Sequence, residues 1–74
     1  MTLFRANITA SPNKRMAGGE LRRLRVSAGL SERQLAVQLG TYRKQIQRWE
    51  GKEWFELAPV PMQQLLNILG VKGL

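Results

Sequence analysis

The feature that most constrains how this chain can fold is a join. "LSERQLAVQLG" and "TYRKQIQRWEG" each read as a helix, and only Gly40 and about two further residues lie between them. A link that short makes two helices cross sharply rather than stack antiparallel. Each segment carries its own punctuation. Ser31 with Gln34 three residues on forms a capping-box pair, Leu35, Ala36 and Leu39 face inward, and Gly40 closes the helix. In the second segment Thr41 is the better cap chemically and Tyr42 the alternative start. At about 100° per residue, Tyr42, Ile46 and Trp49 share one face. Lys44 lies almost opposite Ile46, Gln47 and Arg48 flank it, and Arg43 sits at the edge near the N-terminal end. Gly51 ends the helix.

Two further helices are legible. "GELRRLRVSAG" puts Leu21, Leu24 and Ala28 on one face, with Arg22, Arg23 and Arg25 off that stripe and Gly29 as the stop. "KEWFELAPV" reads as a connection, since Pro59 and Pro61 are barred from a helix interior, although Pro61 suits a first turn. "PMQQLLNILG" follows, with Met62, Leu65, Leu66 and Leu69 as its apolar face and Gly70 as the stop. Residues 1–17 read as an N-terminal arm. "ASPNKRMAGG" is rich in turn formers and breakers, and "TLFRANIT" has some strand character, so a flexible tail and a short strand both stand. The expected fold is all-α: a bundle of about four short helices over residues 18–74, with no sheet assigned.

Composition removes several classes of function. A chain of 74 residues is one domain at most, and one this small buries only about 60% of its unfolded surface. It has no cysteine and no histidine, so neither a disulfide nor a Cys/His zinc site is available, nor the usual base of a catalytic triad. The acidic residues form no paired arrangement, and no phosphate-binding glycine loop is present. Neither enzymatic activity, nor a cofactor, nor a small-molecule substrate is expected. Apolar runs fall far short of the roughly 20 residues that cross a membrane, and the N-terminus lacks the apolar core of a secretory signal. The expected compartment is the cytoplasm.

Charge is the strongest global signal, at +7. Arg5, Lys14, Arg15, Arg22, Arg23 and Arg25 stand against Glu20 in residues 1–30, and Arg33, Arg43, Lys44 and Arg48 against Glu32 and Glu50 in residues 31–50. Beyond residue 50, Lys52 and Lys72 balance Glu53 and Glu56. A basic front half and a neutral rear suggest one side turned to a polyanion.

At this point the stretch "LRRLRVSAGLSERQLAVQLGTYRKQIQRWEGK" resembles the helix-turn-helix of the phage Cro and repressor type, the XRE family. The likeness covers roughly residues 20–71. It rests on the joint spacing of Leu21, Leu24, Arg25, Gly29, Leu30, Ser31, Gln34, Leu35, Ala36, Leu39, Gly40, Ile46, Arg48, Trp49 and Glu50, then Leu65, Leu66, Leu69 and Gly70. The resemblance implies a lambda-repressor-like domain whose helix at about 42–50 reads the major groove of double-stranded DNA. Positions 43, 44 and 48 match family positions that commonly touch base edges, and position 42 matches one near the backbone or the first base. Glu32 departs from the family, which often has a glutamine there that contacts a phosphate or braces a base contact. A carboxylate at that place is repelled by phosphate; it can orient Arg33 or Arg43, or accept from cytosine N4.

The residues support that function on their own terms. A recognition helix needs an apolar back, here Ile46 and Trp49, and long hydrogen-bonding side chains in front. Arg43, Lys44, Gln47 and Arg48 are the expected base readers, since Arg suits guanine O6 and N7 and Gln suits adenine N6 and N7. Arg22, Arg33 and Tyr42 are expected at the DNA backbone, with Lys14 and Arg15 as a weaker arm. The expected role is a transcriptional regulator, a repressor, acting as a homodimer on a roughly palindromic site. Family members usually continue past the equivalent of Gly70 into a further helix that helps to form the dimer. Here four residues follow, which turns attention to Trp54, Phe55, Leu3, Phe4 and Ile8 as interface candidates. Covering the open end of the core is the competing role for Trp54 and Phe55. The rival function is a protein-interaction module, such as an antitoxin-like protein with a protein partner and secondary DNA contact.

Overall fold

The computed structural model describes residues 13–71. The elements run β1 (Lys14–Ala17), α1 (Gly18–Ser27), α2 (Glu32–Leu39), α3 (Arg43–Glu50), β2 (Trp54–Leu57) and α4 (Pro59–Leu69). The four helices each contribute one side chain to the centre. Leu21, Leu35, Ile46 and Leu65 are fully buried, and they come from α1, α2, α3 and α4 in turn. Ala36, Met62, Leu66 and Leu69 extend this core.

Local chemistry sets the helix ends. At α2 the Gln34 N–H donates to Ser31 Oγ at 3.0 Å, and the Ser31 N–H donates to Gln34 Oε1 at 2.8 Å, so the capping box is complete. Gly40 ends α2 with φ of 83°, a conformation that suits glycine because it has no Cβ. Only Gly40, Thr41 and Tyr42 then separate α2 from α3. Thr41 is not the cap of α3. Its N–H is already engaged by the carbonyl of Ala36 at 2.9 Å, so it closes α2, and the capping position falls to Tyr42 without a side-chain cap bond. At α4 both Pro59 and Pro61 lie in the first turn, where backbone N–H groups lack intrahelical partners anyway. That helix therefore starts two residues before Pro61, the expected first turn.

A sheet is the main departure from the all-α expectation; the fold is mostly helical with a two-stranded antiparallel sheet. The pairs are Lys14↔Leu57, Arg15↔Glu56, Met16↔Phe55 and Ala17↔Trp54. Alternation along the strands turns Met16 and Phe55 into the core, 8% and 3% exposed, and turns Arg15, Glu56 and Trp54 outward. Of the two forms open to the arm, a short strand is the one found over Lys14–Ala17, and these residues belong to the folded unit rather than to an arm. The start of α1 is corrected as well. Gly18 and Gly19 read as breakers, yet α1 begins at Gly18, whose N–H donates to the carbonyl of Glu53 at 3.2 Å. No helix among the described residues is long and apolar enough to cross a membrane.

Candidate functional site

The helix α3 divides cleanly into two sides. Ile46 is fully buried, and Gln45, Trp49 and Glu50 are partly buried beside it. Arg43, Lys44, Gln47 and Arg48 are all exposed. At about 100° per residue these four occupy one continuous arc of about 140°, and no other residue of the helix enters it. The structure thus brings the four expected base readers together on one face. Tyr42, which the helical period puts on the face of Ile46 and Trp49, stands just before them and is 58% exposed.

Two contacts hold the back of α3. Trp49 stacks on Phe55 of β2, with centroids 5.2 Å apart and ring planes 11° from parallel. At the C-terminal end, Arg25 of α1 grips Glu50 through both carboxylate oxygens, Nε to Oε2 at 2.6 Å and Nη2 to Oε1 at 3.2 Å. The two side chains keep only 11% and 7% of their exposure. The same guanidinium donates from Nη1 to the carbonyl of Leu30 at 3.0 Å, which ties the α1–α2 turn to the pair. The hydrogen bond with Glu50 outweighs burial and holds the Arg25 guanidinium above its ordinary pKa. Sequence reading placed Arg25 and Glu50 among the family-like residues without pairing them. They lie 25 positions apart, and no local pattern joins them.

Glu32, at the start of α2, reaches the front face. Its Oε1 accepts from Arg43 Nε at 3.3 Å and from Gln47 Nε2 at 3.2 Å. Of the roles open to it, the contact with Arg43 is present and Gln47 is added to it, whereas no ion pair between Glu32 and Arg33 occurs among the described residues. Burial works to raise the pKa of this carboxyl. The hydrogen bonds from Gln47 and Arg43, with the charges of Arg25 and Arg43, outweigh burial and hold it below the ordinary carboxylate value. Glu32 is therefore ionised at neutral pH, and its grip is present above the ordinary value and lost as pH falls through the lowered one.

The remaining candidates are dispersed. Arg33 is exposed on α2 and Arg22 on α1, where it borders a shallow surface with Arg23 and Val26. Lys14 and Arg15 lie not in an arm but on β1, beside Pro59, Met62 and Gln63 of α4. Arg15 is also held locally, 3.9 Å from Glu56 and 5.1 Å over the Trp54 ring. Phe55 is a core residue, not an interface residue, because strand alternation turns it inward. Trp54, its neighbour, faces outward and is 52% exposed. Leu3, Phe4 and Ile8 lie outside the described residues. Comparison with family models finds no match to this chain, and comparisons with curated proteins and with solved structures find none either.

Proposed function

We propose that the protein is a helix-turn-helix DNA-binding domain of the phage repressor type, with α2 and α3 as its two helices and α3 as the one that enters the major groove. The observation that carries this reading is the arc of α3: Arg43, Lys44, Gln47 and Arg48 exposed side by side, with Ile46 buried behind them. An α-helix fills the major groove, and long side chains on its outward face are what base edges require. A net charge of +7 supplies the sequence-independent attraction to phosphate. The role is that of a transcriptional regulator, a repressor, without a catalytic step.

Replacing both Arg43 and Lys44 by Ala is expected to weaken binding to a preferred duplex by about 1–3 kcal/mol for each lost base contact, and binding to random duplex by less. Fluorescence anisotropy titration against both duplexes measures this. Equal losses on the two would assign these side chains to phosphate rather than to bases.

A homodimer on a roughly palindromic site goes with this reading, and Trp54 is the surface proposed for the second copy. It projects from the sheet with half its surface exposed, beside Leu24, Leu66 and Val71, which suits a hydrophobic contact. Trp54→Ser is expected to shift sedimentation equilibrium from dimer to monomer with little change in melting temperature. An unchanged mass would remove Trp54 from the dimer contact.

A further inference from the structure

We infer, resting on the DNA-binding reading above, that Glu32 is a positioning residue that sets the base specificity of α3: it aims Arg43 at guanine and fixes which way the Gln47 amide faces. An ionised carboxylate only accepts hydrogen bonds. Two consequences follow from its contacts with Arg43 Nε and Gln47 Nε2.

The first concerns Arg43. Its Nε–H is spent on Glu32, so the donors left for a ligand are Nη1 and Nη2 at the end of the guanidinium. That pair is the planar fork that matches guanine O6 and N7. The second concerns Gln47. Its NH2 must face the carboxylate, so its Oε1 is turned the other way as an acceptor for an exocyclic amine, adenine N6 or cytosine N4. The second Nε2 hydrogen is left for adenine N7, which completes the usual pair of bonds to adenine. One oxygen thereby couples two readers.

Glu32 has an opposite effect on binding that carries no sequence information. A carboxylate beside the front face repels phosphate and detracts from loose electrostatic association. Removing the carboxylate altogether should therefore move two quantities in opposite directions. A side chain with a merely structural role would not do so.

The test uses the full chain, a duplex recovered with it from a random pool, and the same duplex with each guanine in turn replaced by 7-deazaguanine, which lacks the N7 acceptor. In the unaltered protein one guanine should be sensitive to this change, by about fivefold or more in Kd. That sensitivity should be absent in Arg43→Ala, which assigns the guanine to Arg43. In Glu32→Ala, which removes both the acceptor oxygen and the charge, the same sensitivity should largely disappear, while affinity for random duplex rises roughly two- to fivefold at low salt. Melting temperatures identify any variant that is simply unfolded, and Glu32→Asp, which keeps the charge, should retain part of the guanine preference. The inference is overturned if Glu32→Ala keeps the full sensitivity, or if binding is sequence-specific but no guanine depends on Arg43. Absence of any sequence preference in the unaltered protein is a different failure, since it removes the DNA-reading function itself.

Discussion

Gly18→Ala is expected to destabilise this domain by about 3 kcal/mol or more, and so to lower its melting temperature by roughly 12–24 °C. The cause is a close approach of backbones. Gly18 is buried where the N-terminus of α1 meets the end of α3. A Cβ there would overlap the carbonyl oxygens of Lys52 and Trp49 and come within 2.8 Å of the carbonyl of Glu50. These atoms are backbone, so no rotamer change relieves the clash. Either α1 moves away, with loss of the Gly18 N–H bond to Glu53, or the turn after α3 deforms. A domain of this size has a total stability of only about 4–11 kcal/mol, so the loss is a large fraction of it. Gly19 is the internal control. A Cβ there meets nothing within 4 Å, and Gly19→Ala should be neutral or slightly stabilising, since alanine is the better helix former. Thermal unfolding followed by circular dichroism measures both. Equal melting temperatures for the two variants would contradict the packing described.

Arg25→Met is expected to cost about 2–4 kcal/mol, because it leaves the Glu50 carboxylate largely withdrawn from water without its partner. The value is set below that for a fully buried pair, since some exposure remains. Truncating Arg25 also releases the Leu30 carbonyl, and with it the turn before α2. The double variant Arg25→Met with Glu50→Leu should recover more than about 1 kcal/mol of the loss, because it removes the orphaned charge as well. Urea denaturation of the single and double variants gives the coupling energy directly. A loss under about 1 kcal/mol for Arg25→Met would mean that the pair is solvated like an ordinary surface ion pair. The contact also bears on function. Glu50 is the last residue of α3, so the pair fixes how the proposed reading face is held against α1.

These two predictions mark the boundary of what sequence reading reaches. The helices were legible where their signals are local. Ser31 and Gln34 lie three residues apart and cap each other, Gly40 ends α2, and Ile46 phases α3 so that Lys44 and Arg48 fall nearly opposite it, with Gln47 and Arg43 toward one edge of the same exposed arc. The front of α3 was therefore visible in the periodicity. What failed was everything that joins distant segments. "KRMA" carries one strongly apolar residue and follows a run of turn formers, so nothing in it announces a strand. Its partner "WFEL" lies beyond three helices, and pairing them is a tertiary event. Once the pairing is known, the adjacent aromatics sort themselves: Phe55 faces in to stack on Trp49, and Trp54 faces out under Arg15. Gly18 misled for the same reason. A glycine required by a distant backbone looks, in sequence, like a glycine that breaks a helix. Arg25 with Glu50, and Glu32 with Gln47, are side-chain contacts between helices that no spacing rule connects.

The proposed DNA-reading face of α3 is tested most directly by selection of duplexes from a random pool with the unaltered protein, read by sequencing, followed by titration of the selected duplex across salt concentrations. Enrichment of one motif containing guanine is expected. Affinity should fall steeply as salt rises, with a preference for that motif over random duplex of about a thousandfold or more. Recovery of an unenriched pool, with equal affinity for selected and random duplex at every salt concentration, would contradict the DNA-reading face.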